Sequence, residues 1–130
     1  MPLAANLRTL IVDDQQSMRS LIRSSLHALG INSTREAEDG EEALAQLKAD
    51  EPFNLVITDY NMPKLDGLGL LKAIRAQPST AKTAVIMLTG RADRELVQTA
   101  VQHGVNNFLV KPFTTVTLKG KIEAVFGPLQ

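Results

Sequence analysis

Leu10-Ile11-Val12-Asp13-Asp14 is an apolar run that stops at two carboxylates, and its reading decides the fold. Three apolar residues with no polar alternation predict a strand buried on both faces rather than one with a wet side. The pattern returns twice. Leu55-Val56-Ile57 precedes Asp59, and Phe108-Leu109-Val110 precedes Lys111-Pro112. Strands of this kind belong to parallel sheets, where they finish on the same edge. Asp13, Asp14, Asp59 and Lys111 are therefore expected at one rim. Three carboxylates beside one ammonium make a place to hold a divalent cation and to do phosphate chemistry on an aspartate.

Working outward, short apolar runs alternate with amphipathic stretches. Strands are predicted over residues 9–13, 33–37, 54–58, 84–89 and 107–110. The second is the weakest signal, being short and polar. Helices are predicted over 17–29, 40–49, 67–76, 93–103 and 115–126. In the first, Met18, Leu21, Ile22, Leu26 and Leu29 share a face and Gly30 is the stop. Ala43, Leu44 and Leu47 point inward from the second. Leu68, Leu71 and Ile74 do so from the third, and Gly104 ends the fourth. Val116, Ile122 and Phe126 point inward from the fifth, which Thr114 caps and Gly120 weakens. Five βα units in succession imply a parallel sheet with helices on both faces. The 130 residues suit one domain, with a core over about 8–127 and no effector domain.

Composition removes several classes of function. Apolar residues make up 44% and charged residues 22%, as in a soluble globular protein. Fourteen basic residues balance fourteen acidic ones, which argues against nucleic acid or an acidic membrane as partner. Cysteine is absent, so disulfides, thiolate catalysis and cysteine-bound zinc are excluded. Residues 1–6 lack the form of a signal peptide, and no apolar run approaches the roughly 20 residues of a membrane span. The expected compartment is the cytosol.

Each site residue has an ordinary reading. A lone Asp-Asp pair caps helices or forms turns. Placed after a buried strand and opposite Asp59, it suits magnesium, which takes hard oxygens. Clustered carboxylates repel one another and need a compensating cation. Lys111 supplies one positive charge, and the metal supplies the rest. Thr89 is an ordinary strand-end residue whose hydroxyl, at this rim, reaches a phosphoryl oxygen. A cis Pro112 would aim Lys111 inward. His27 and His103 read as surface residues, and Met18, Met62 and Met87 as filler. No glycine-rich phosphate loop or serine elbow is present.

Together these residues resemble a family. Ile11-Val12-Asp13-Asp14, Met18-Arg19, Asp59-Tyr60-Asn61-Met62-Pro63, Asp66-Gly67, Leu70-Leu71-Lys72 and Val110-Lys111-Pro112-Phe113 are similar to the receiver domain of two-component response regulators, in particular its single-domain, CheY-like chemotaxis type. The likeness covers nearly the whole chain. It implies a flavodoxin-like sheet in the order 2-1-3-4-5. It makes Asp59 the phosphoacceptor, with Asp13, Asp14, Asp59 and the Asn61 carbonyl binding Mg2+. Thr89 and Lys111 contact the phosphoryl group. Phe108 matches the aromatic residue that turns inward on activation, here without a hydroxyl. Gln15, Asn61 and Arg91 tune the lifetime of the acyl phosphate.

The implied partners are a sensor histidine kinase or a histidine phosphotransfer protein, and a protein target at helix four, strand five and helix five. Arg91, Arg94, Lys119 and Lys121 on that face favour an acidic and apolar partner segment. The protein is expected to be a switch, and not an enzyme apart from catalysing its own phosphorylation and dephosphorylation. Three rivals exist. A phosphorelay shuttle would use the same sites. A haloacid-dehalogenase-type phosphatase wants a second Asp two residues after the nucleophile, where Asn61 stands. A DNA-binding regulator needs an effector domain.

Overall fold

The structure, a computed structural model, describes residues 3–49, 52–90 and 94–130. After a short turn at Ala4–Asn6 the elements alternate: β1 (Thr9–Val12), α1 (Gln16–Ala28), β2 (Thr34–Ala37), α2 (Gly40–Ala49), β3 (Leu55–Asp59), α3 (Gly67–Ala76), β4 (Ala84–Thr89), α4 (Arg94–Gln102), β5 (Asn107–Val110) and α5 (Thr115–Phe126). All strand pairs are parallel, in the order β2-β1-β3-β4-β5. This is the flavodoxin-like arrangement that the resemblance implied. From β2 at the edge the chain crosses over β1 to β3, so the winding direction reverses between β1 and β3 and opens a crevice at the carboxyl ends.

The apolar runs explain the layers. Every residue of β1, β3 and β4 is buried. Alternate side chains enter two cores. Ile11, Ile57, Ile86 and Leu88 pack with Ile22, Leu26, Leu118 and Ile122 of α1 and α5. Leu10, Val12, Val56, Val85 and Met87 pack with Ala43, Leu47, Leu70, Leu71, Ile74 and Ala100 of α2, α3 and α4. β2 is an edge strand with exposed or half-buried Thr34, Arg35 and Glu36, which accounts for its faint apolar signal.

Two expected inward residues point to solvent. Leu21 is 49% exposed, because the buried stripe of α1 runs through Arg19, Ile22, Ser25 and Leu26. Val116 is 79% exposed, lying about 200° around α5 from the buried Leu118. In α3, Leu70 is fully buried while Leu68 is only half-buried. Thr114 caps α5 as expected, its side chain accepting from Thr117 N. Asp66 does the same for α3 through Gly69 N. Among the described residues no helix is long and apolar enough to cross a membrane.

Candidate functional site

Sheet register gathers the site. β1 pairs with β3 from Thr9 opposite Leu55 to Val12 opposite Thr58, so Asp13 and Asp59 leave the sheet side by side. β4 pairs with β5 up to Thr89 opposite Val110, and Lys111 N donates to the Thr89 carbonyl at 2.8 Å. The Lys111–Pro112 peptide is cis. Lys111 Nζ lies 2.8 Å from Asp59 Oδ1 and 3.6 Å from Asp13 Oδ2. Carboxylate oxygens of Asp13, Asp14 and Asp59 all fall within 4.8 Å of one another. The rim predicted from the strand ends is present.

The cluster is lopsided in charge and in burial. Three carboxylates face one ammonium. The Asp13 side chain is fully buried, Asp59 nearly so, and Asp14 is exposed. Burial pushes the Asp13 carboxyl above its ordinary range. The hydrogen bond from Gln15 N opposes this, the Asp59 charge adds to it, Lys111 opposes it, and Asp14 adds to it. Asp13 Oδ1 accepts from Gln15 N at 2.9 Å, whereas Oδ2 is buried with no hydrogen bond. Buried carboxylate oxygens are rarely left so. A buried oxygen donor with a 3.6 Å ion pair to Lys111 but no hydrogen bond, beside two more carboxylates, fits a hard divalent cation such as Mg2+.

The other expected residues fall around this centre. Thr89 is buried at the end of β4. Phe108 is half-buried, packed against the core beneath α2, α3 and α4. Gln15 and Asn61 are exposed in the loops after β1 and β3. Arg91 lies outside the described residues. His27 and His103 are exposed. A groove of about 430 Å³ opens beside the centre, lined by Tyr60, Asn61, Leu68, Thr89, Leu96 and Thr99 among others.

Sequence reasoning gave Arg19 no task. It is buried on α1, and its Nη1 donates to the Asp13 carbonyl at 2.7 Å. The available signal was a cation inside the apolar stripe of a helix, six residues after Asp13. Gly67 was also passed over. A side chain there would meet the backbone of Asp59 and Tyr60, so the loop after β3 closes tightly only with glycine.

Comparison with known proteins agrees with this geometry. The family model for the response regulator receiver domain matches residues 9–123. A probable chemotaxis protein CheY of Rhizobium etli is 48% identical over 130 residues, the whole of both chains. Chemotaxis protein CheY-3 of Vibrio cholerae is 46% identical, with 95% of each chain covered. Among solved structures, chemotaxis protein CheY4 of Vibrio cholerae superposes with a TM-score of 0.85 at 34% identity, covering 92% of this chain and 98% of that one. The receiver domain of the sensor histidine kinase PA1611 of Pseudomonas aeruginosa, which has a magnesium ion coordinated in its active site cleft, gives 0.81 at 27% identity, covering 92% and 96%.

Proposed function

The chain belongs to the response regulator receiver family, and from that premise we propose that it is a chemotaxis-type response regulator switched by phosphorylation of Asp59. Proteins of this kind are signalling proteins rather than enzymes in the ordinary sense. The observation that carries the assignment of Asp59 is its position. It lies 2.8 Å from Lys111, nearly buried, in reach of two further carboxylates, one with a buried oxygen that makes no hydrogen bond.

Asp13, Asp14 and Asp59, with the Asn61 carbonyl, would hold Mg2+. Bound there, the ion neutralises charge on the transferring phosphoryl oxygens. The Asp59 carboxylate attacks phosphorus of a phosphohistidine donor. An O–P bond forms, the P–N bond breaks, and the electron pair leaves with the imidazole, which takes a proton. Lys111 gives up its pairing with the carboxylate and binds a phosphoryl oxygen. The Thr89 hydroxyl donates to another. Asp59 returns to a free carboxylate when water hydrolyses the acyl phosphate, at a rate set by Gln15, Asn61 and Arg91.

Drawing Thr89 towards the phosphoryl group vacates space above Phe108, which moves further in. That changes the outer face of α4, β5 and α5. A partner preferring the changed face shifts the population towards it. The face carries exposed Val101 and Val110 with Arg94 and Lys119, which suits a segment with acidic and apolar residues. The donor is a histidine kinase or a histidine phosphotransfer protein. Transfer of labelled phosphate from a phosphorylated histidine domain tests the reading. The wild type should take the label and Asp59→Asn should not. Equal labelling of the two would refute it.

A further inference from the structure

Asp13 is fixed at three of its four hydrogen-bonding points. Its N–H donates to the Ala37 carbonyl at 3.1 Å, its carbonyl accepts from Arg19 Nη1 at 2.7 Å, and its Oδ1 accepts from Gln15 N at 2.9 Å. Oδ2 makes no hydrogen bond and is buried 3.6 Å from Lys111 Nζ, in the carboxylate cluster. The first and third of these bonds come from main-chain groups that any sequence offers. The second depends on a particular side chain. The chain has already left β1 at Asp13, so no sheet partner serves that buried carbonyl.

Arg19 is itself held. It is only 9% exposed, and a guanidinium in that position needs partners. Its Nε donates to Glu36 Oε1 at 3.1 Å, while Arg23 Nη1 donates to Glu36 Oε2 at 2.8 Å. The Glu36 carbonyl accepts from Gln46 Nε2 at 2.7 Å. Thus Glu36 of β2 is joined to α1 through its carboxylate and to α2 through its main-chain carbonyl, and the Nη1 arm of the Arg19 fork reaches the residue carrying Oδ2. We infer that Arg19, oriented by Glu36, is a positioning residue that presets Asp13 as a divalent-cation ligand.

The inference rests on the cation site proposed above. Its sign separates it from an effect of charge. Two guanidiniums share one carboxylate here, so the bracket carries net positive charge. By charge alone, losing Arg19 would help a cation bind. By positioning, losing it frees the Asp13 carbonyl and its loop and weakens binding. Residues that orient metal ligands are typically worth about 10–100-fold in affinity.

The experiment is calorimetric titration of magnesium chloride into the metal-free full chain, as wild type, Arg19→Gln, Arg19→Lys and Glu36→Gln. Arg19→Gln should bind about tenfold more weakly or worse. Arg19→Lys keeps the charge but lacks the fork, so it should recover only part of the loss. Glu36→Gln leaves Arg19 in place and should weaken binding less, and it carries the test if Arg19→Gln does not fold. Amide exchange in the metal-free protein supplies a readout independent of the ion. In Arg19→Gln it should quicken at Asp13 and Gln15 more than at Leu10 and Ile11, which a uniform loss of stability would move together. Wild-type affinity in every variant, or tighter binding without Arg19, would overturn the inference and leave the cation site standing. Absence of binding by the wild type would remove the site and the inference with it.

Discussion

At Asp13, burial and two neighbouring carboxylates act against the charge that cation binding requires. Its pKa is raised in the folded protein, burial being the main cause and Asp59 adding to it. The protonated form therefore contributes stability that is fully present below the ordinary carboxylate range and is lost as pH rises through the raised value. Once ionised, and without metal, the side chain is a cost. Asp13→Asn should then melt higher than the wild type in a chelating buffer at neutral pH. The gap should close as pH falls below the carboxylate range. A variant that melts lower than the wild type at neutral pH would contradict this account of the cluster.

The sequence made the four charged residues of the rim legible because each ends a run that cannot be anything but a buried strand. Arg19 was not legible in the same way. Its carbonyl acceptor lies just past the end of β1 and its Glu36 partner lies in β2, and sequence spacing does not say which helix face meets which strand end.

Among the elements, those buried on both faces gave the plainest signal, and the edge strand β2 gave the faintest. β3, β4 and α3 follow from continuous or periodic apolar residues. β2 is half-wet and polar, so only its neighbours reveal it. Leu21 and Val116 were misplaced because an apolar residue next to a buried stripe looks like part of it. The junction of β3 and α3 gives a sharper test. A Cβ at Gly67 would press on the Asp59 carbonyl and the Tyr60 Cα, both main chain and unable to rotate away. Gly67→Ala should cost about 1–3 kcal/mol in denaturant unfolding. Gly120, with open space around its Cα, should tolerate alanine and gain in helix propensity. The α4-β5-α5 face calls for a binding assay. Charge reversal at Lys119 and Lys121 should weaken partner binding while Asp59 is phosphorylated as before. Binding that survives the reversal and fails instead on changes to exposed residues of α1 would place the output face elsewhere.

Over the whole molecule, two cores on opposite sides of one sheet hold β1, β3, β4 and β5 so that their ends meet. An ion bound at that meeting point stabilises the native chain and has no equivalent site on the unfolded one. Magnesium at ten times its dissociation constant should add about 1.4 kcal/mol to unfolding, and Asp14→Ala should remove most of that gain. Melting that is indifferent to millimolar magnesium would count against the cation site. The central claim is that this rim delivers a phosphoryl group to Asp59. Its most direct test is treatment with a small acyl phosphate donor, with and without magnesium, followed by borohydride reduction and mass mapping. The modification should appear at Asp59 alone, depend on magnesium, and vanish in Asp59→Asn. Labelling at another residue, or undiminished labelling in Asp59→Asn, would contradict the account.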